Sequence, residues 1–148
     1  MRINQQALVA HSVQQMFSLV MDVESYPEFL PYCTAAEILR QDEGVVEARL
    51  DLSRGPVSQS FATRNRFQPD EFIELELLEG PFSRLSGLWK FTRVSDAGSR
   101  IALQLDFELR GPLKFIVTPL LSEVANRMLQ SMIRRAAKIY VGGAGDVS

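Results

Sequence analysis

An α+β fold is predicted, in which a curved antiparallel sheet of about seven strands wraps around one long C-terminal helix. Three features predict it: turn signals at short intervals through residues 42–111, period-two alternation of apolar residues between them, and a 3.6-residue apolar stripe that takes over after Pro112. At 148 residues the chain falls in the single-domain range. One domain over residues 1–148 is expected, with 142–148 as a flexible tail.

The first strand is placed at about residues 2–10. Ser12 followed by Gln15 is a capping-box pattern, and Val13, Met16, Phe17 and Val20 then keep a helical period, so a first helix runs to about Asp22. The next stretch, "DVESYPEFLPYC", sets Tyr26, Phe29, Leu30 and Tyr32 around Pro27 and Pro31. A proline inside a helix costs about 3 kcal/mol, and Pro31 disfavours helical geometry at Leu30. A second, very short helix over 25–29 is therefore all that fits.

Six more strands fit around the turn signals "DEG" at 42, "GP" at 55, "PD" at 69, "GP" at 80, "DAG" at 96 and "GP" at 111. In "VVEARLDL" one face carries Val46, Ala48, Leu50 and Leu52; in "IELELLE" it carries Ile73, Leu75 and Leu77; in "IALQLDFEL" it carries Ile101, Leu103, Leu105, Phe107 and Leu109. The opposite faces are mostly polar, so the sheet has one wet side.

From Pro112 onward Leu120, Leu121, Val124, Met128, Met132, Ala136 and either Ile139 or Tyr140 share one helical stripe. Pro119 suits a first turn or a kink, and residues 115–118 are read as a separate turn before the helix. Arg127, Arg134, Arg135 and Lys138 complement the macrodipole near its C-terminus, and "GGAG" at 142–145 ends it. A twisted seven-stranded sheet curls, and the only element long enough to cover its apolar face is this helix. The gap between cup and helix is where a cavity is expected.

The 46% hydrophobic and 23% charged content describes a folded globular chain and argues against disorder. A net charge of −2 gives no general support to nucleic-acid binding, and DNA is not expected as a partner. One cysteine, Cys33, and one histidine, His11, exclude an internal disulfide and a Cys/His metal cluster. No apolar run approaches the length of a spanning helix and no leader pattern opens the chain, so a cytoplasmic protein without stable membrane insertion is expected.

The segment "HSVQQMFSLVMDVESYPEFLPYC", through Phe17, Asp22, Val23, Tyr26, Pro27, Phe29, Pro31 and Cys33, resembles START-like helix-grip (SRPBCC) proteins of the coenzyme Q-binding and polyketide-cyclase-like group, which includes bacterial ribosome association toxins. Weaker support comes from "SFATRNRF", "GLWKF" and "FELRGPL". The resemblance implies a START/Bet v 1-like fold whose short helices span the open end of the cupped sheet. It implies a non-enzymatic protein that binds an isoprenoid quinone such as ubiquinone, or a lipid, with no other cofactor. Two alternatives come with it: a toxin that binds the large ribosomal subunit and is paired with a small antitoxin, and a polyketide cyclase or dehydratase.

The ligand-binding candidates are Tyr26, Phe29, Tyr32, Phe61, Asn65, Trp89, Phe107, Leu121, Val124, Met128 and Met132. Tyr26, Phe29 and Tyr32 are either a lid over the cavity or a plug in a solid core. Met128 and Met132 suit a pocket that repacks, and equally an ordinary core. Trp89 and Phe91 share a strand face with Gly87, which admits a close approach or marks a bulge. In "VSQSFATRNRF" strict alternation sends Gln59, Thr63 and Asn65 inward with Phe61 and Phe67, where they would orient a ligand head group; a bulge that shifts the phase would put them in water instead. Arg64, Arg66, Arg127, Arg134, Arg135 and Lys138 are either a footprint for ribosomal RNA or a solvated face. No activating partner accompanies His11 or Cys33, and no catalytic motif is present, so no catalytic or metal residue is assigned.

Overall fold

The computed structural model of the chain describes residues 1–140; the predicted tail at 142–148 and the glycine stop at 142–145 lie outside the described residues. Seven antiparallel strands form one sheet: β1 (Arg2–Val9), β2 (Cys33–Asp42), β3 (Val45–Arg54), β4 (Val57–Gln68), β5 (Phe72–Glu79), β6 (Phe82–Ser95) and β7 (Gly98–Leu109). Their order is β1-β7-β6-β5-β4-β3-β2, so β2 through β7 form a meander and β1 returns to pair with β7. Each hairpin turns at a predicted signal, and Gly44, Gly55 and Gly80 adopt the positive φ that those turns require.

Helix α1 (Val13–Met21) opens with the predicted capping box: Gln15 N–H donates to Ser12 Oγ at 3.1 Å and Ser12 N–H donates to Gln15 Oε1 at 3.0 Å. The second helix is a 3₁₀ turn, Val23–Glu28, with Pro27 inside it. It begins two residues before the expected span because a 3₁₀ turn needs fewer hydrogen bonds than an α-helix and tolerates the missing proline N–H.

The long helix α2 (Lys114–Ile139) corrects one expectation. Residues 115–118 are not a separate turn; they are continuous with the helix through Pro119. Proline removes only the bond to the Phe115 carbonyl, and Phe115 is 80% exposed, so that carbonyl stays within reach of solvent. The predicted stripe is the buried one, with Leu120, Leu121, Val124, Met132 and Ala136 all below 6% exposure. At its end Tyr140 turns inward, its hydroxyl donating to the Gln15 carbonyl at 2.9 Å, while Ile139 is exposed. This bond ties the C-terminal end of α2 to α1.

Candidate functional site

Strand alternation delivers Val46, Ala48, Leu50 and Leu52 of β3, Phe61, Thr63 and Asn65 of β4, and Ile73 and Leu75 of β5 to the concave face. Leu85, Trp89, Leu105 and Phe107 continue that surface across β6 and β7, with Phe82 at its end. Helix α2 covers it with Leu121, Val124, Ala125 and Met128, and Val20, Met21, Val23 and Tyr26 close the remaining side. These side chains line a cavity of about 100 Å³ that is partly open to solvent. It is less than the roughly 150 Å³ that holds one benzene in an engineered apolar cavity, so the resting interior admits only a small group.

Tyr26, Thr63, Asn65 and the Trp89 indole supply the side-chain polar atoms of this wall; among the described residues no carboxylate, lysine, arginine, histidine or cysteine lines it. Asn65 is 8% exposed. The Thr63 hydroxyl donates to its Oδ1 at 2.7 Å, and its amide nitrogen makes no hydrogen bond among the described residues. The Tyr26 hydroxyl donates to the Val20 carbonyl at 2.5 Å. Burial pushes that phenol far above its ordinary range, with the nearby Asp22 charge adding to it, so it stays a neutral donor.

A bulge does exist beside Asn65, but not where it would turn these residues outward. Ala62 pairs with Glu79 and Thr63 with Leu77, leaving Leu78 of β5 as the extra residue. The irregularity is absorbed by β5, and β4 keeps its phase through Phe61, Thr63 and Asn65. Gly87 needs no bulge either. A Cβ there would lie 2.7 Å from Leu105 Cδ2 and 2.9 Å from Leu75 Cδ1, so glycine makes room for two leucines of the cavity wall.

Eight of the eleven predicted ligand residues line the cavity: Tyr26, Phe61, Asn65, Trp89, Phe107, Leu121, Val124 and Met128. Three do not. Met132 is fully buried in the core one turn beyond Met128. Phe29 and Tyr32 pack on the outer side, under cations: the Arg135 guanidinium lies 5.1 Å from the Phe29 ring and that of Arg54 lies 5.5 Å from the Tyr32 ring. The aromatic segment is thus neither wholly lid nor wholly plug, since Tyr26 points in while Phe29 and Tyr32 fasten the segment from outside.

The fastening converges on α2. Glu123 accepts from the Tyr32 hydroxyl at 3.2 Å, pairs with Arg127 at 3.2 Å, and pairs with Arg54 at the tip of the β3–β4 hairpin. Arg135 pairs with Glu28 at 2.8 Å. Tyr32 itself sits at φ 64°, a left-handed backbone uncommon outside glycine. Sequence reasoning missed the role of Glu123 because two of its three partners, Arg54 and Tyr32, lie 69 and 91 residues away in the chain.

The six basic candidates do not form one surface. Arg64 and Arg66 alternate with cavity residues and so face the convex side of the sheet, where Arg64 pairs with Glu47 and Glu76 and Arg66 with Glu76. Arg127 and Arg135 are spent on Glu123 and Glu28. Arg134 and Lys138, on α2, make no ion pair among the described residues. Cys33 is buried, and desolvation pushes its thiol up to about 11. His11 is 8% exposed beside Tyr140, outside the cavity wall.

A family profile described as polyketide cyclase/dehydrase and lipid transport matches residues 9–134, which include α1, every strand from β2 to β7 and most of α2. The chain belongs to this family. Within it, the chain is 39% identical to the ribosome association toxin RatA of Pseudomonas aeruginosa, over 93% of this chain and 96% of that protein. It is 26% identical to the mitochondrial coenzyme Q-binding protein COQ10 of Dictyostelium discoideum, over 88% of this chain and 66% of that one. The fold is that of the Zhui aromatase/cyclase from Streptomyces sp. R1128, with a TM-score of 0.84, 19% identity and 99% of both chains covered. A START superfamily protein from Mycobacterium smegmatis aligns with a TM-score of 0.77 and 22% identity, over 93% of this chain and 98% of that one. The family's helix-grip architecture is therefore the frame in which the cavity sits.

Proposed function

We propose that the chain is a non-enzymatic binder of a hydrophobic small molecule, an isoprenoid quinone or a lipid, held between the sheet and α2. The observation that carries this reading is the wall itself: apolar apart from Tyr26, Thr63, Asn65 and the Trp89 indole, without an ionisable acid or base suited to proton transfer near neutral pH. Burial of an isoprenoid tail supplies affinity at about 25 cal/mol per Å², and the Asn65 amide supplies one directed hydrogen bond to a head-group oxygen. The resting space is too small for such a ligand, so on this reading the rim opens on binding; the β3–β4 hairpin, tied to α2 through Arg54 and Glu123, and the Pro27–Pro31 segment, tied through Tyr32–Glu123 and Glu28–Arg135, are the elements that would move. COQ10, whose name records coenzyme Q binding, supports the ligand class. Solvent extraction of the purified protein followed by mass spectrometry tests it, together with the melting temperature in a short-chain ubiquinone analogue. Recovery of a quinone or lipid and a rise in melting temperature are expected; neither occurring refutes it.

A second reading rests on a different observation, the 39% identity to RatA along almost the whole chain. On this reading the protein associates with the large ribosomal subunit in the cytoplasm and is paired with an antitoxin. Arg134 and Lys138 are then the contact candidates of first choice, since the other four basic residues are already paired. Sucrose-gradient sedimentation decides: co-migration with large subunits that weakens with salt supports it, and protein remaining at the top of the gradient at low salt excludes it.

A further inference from the structure

The start of α2 is the most exposed apolar surface among the described residues. Phe115 is 80% exposed, Leu113 57% and Ile116 56%, and they lie within the first turn of α2 and its cap, directly after the Gly111-Pro112 corner. Their neighbours in the chain, Arg110 and Lys114, are exposed, and neither forms an ion pair among the described residues. The Lys114 ammonium instead lies over the Phe115 ring at 5.2 Å. No carboxylate occupies the first turn of α2, where the helix dipole would favour one. The corner is also joined to the cavity: Arg110 N–H donates to the Pro81 carbonyl at 2.9 Å, and the next residue, Phe82, lines the cavity end. One helical turn further along, Val117 and Leu120 are buried and Leu121 faces the cavity.

We propose that this knuckle docks the protein onto an anionic lipid surface, with Leu113, Phe115 and Ile116 entering the acyl boundary and Arg110 and Lys114 meeting lipid phosphates. Exposed apolar side chains flanked by two cations without ion pairs match the chemistry of an interfacial anchor. Insertion is shallow, because no helix among the described residues is long and apolar enough to cross a membrane. Docking there would set the end of the cavity against the bilayer, a purpose that rests on the proposed ligand binding; the docking itself does not.

Flotation with ligand-free protein tests it, using vesicles of phosphatidylcholine alone and of phosphatidylcholine mixed with phosphatidylglycerol. The wild-type chain is expected to float with the anionic vesicles and to be released by salt. A Phe115→Ser, Ile116→Ser pair and an Arg110→Glu, Lys114→Glu pair should each lower partitioning about tenfold or more, while keeping the wild-type melting temperature and its shift with a ubiquinone analogue. Absence of flotation, or flotation indifferent to the Phe115 and Ile116 changes, overturns the proposal. So does a knuckle that serves another partner, seen as those changes abolishing a dimer in sedimentation velocity, or co-migration with large ribosomal subunits, without vesicle binding. A protein that floats but shows no ubiquinone shift refutes the cavity ligand and leaves the docking intact.

Discussion

Replacing Ala125 with leucine probes the cavity with little change in helix propensity, since both residues are strong helix formers. Ala125 is 6% exposed on α2 and borders the cavity. Leucine adds three carbons, worth about 2.4 kcal/mol at about 0.8 kcal/mol per buried methylene. Ordering the leucine side chain offsets about 0.5–1 kcal/mol of this. The net gain of about 1.5–2 kcal/mol corresponds to a rise of about 3–8 °C in melting temperature for a domain of this size. The same substitution at Ala136, fully buried on the same helix but away from the cavity, should instead destabilise by about 1–3 kcal/mol through overpacking. Differential scanning calorimetry of the two variants is the assay, repeated with a ubiquinone analogue. If Ala125→Leu destabilises as much as Ala136→Leu, the void is not there. If it stabilises but leaves the analogue's shift undiminished, the ligand binds elsewhere.

Replacing Asn65 and Thr63 together, Asn65→Leu with Thr63→Val, removes both partners of a buried hydrogen bond and so should change stability little; it should weaken binding of the analogue by about tenfold in isothermal titration, and unchanged affinity would remove Asn65 from the site. Glu123→Gln loosens a part-exposed cluster, costing less than about 1 kcal/mol, yet hydrogen exchange at residues 52–58 and the rate of analogue uptake should both rise. Unaltered uptake would mean that entrance lies elsewhere. The Cys33 thiol, pushed up to about 11, should resist alkylation at pH 8 in the folded protein and react once it is denatured. Because its folded value is raised, the associated stability is present below pH 9 and is lost as pH climbs toward 11; a urea midpoint that does not fall over that interval contradicts the assignment.

Most of the frame is legible in the sequence because it is written in local chemistry. The Ser12–Gln15 box and the five hairpin signals act within a few residues, and alternation in β3, β5 and β7 assigns one face of the sheet without further information. What alternation alone did not settle is β4, because its phase depends on whether the extra residue falls in β4 or in its partner, and Leu78 of β5 takes it. Whether Phe29 and Tyr32 act as lid or plug is not written locally, because the guanidinium groups that lie over their rings, Arg135 and Arg54, come from α2 and the β3–β4 hairpin. Met132 lies one turn beyond Met128 on the same stripe and is packed in the core without bordering the cavity. The continuity of α2 through Pro119 was hidden because its tolerance depends on the exposure of the preceding turn. Ala48, Leu50, Leu52, Ile73, Leu75 and Leu105 are legible as core-facing positions from alternation, whereas Phe82 and Leu85 of β6 are not; which of these positions border a void depends on how deeply α2 sits in the cup.

The most direct test of the account is a methyl-resolved NMR titration of the chain with a short-chain ubiquinone analogue. Shifts and intermolecular contacts confined to the methyl groups of Leu50, Leu121, Val124 and Met128 are predicted, with those of exposed Leu8 and Leu39 unmoved. Perturbations confined to the outer surface, or none at saturating analogue, would contradict it.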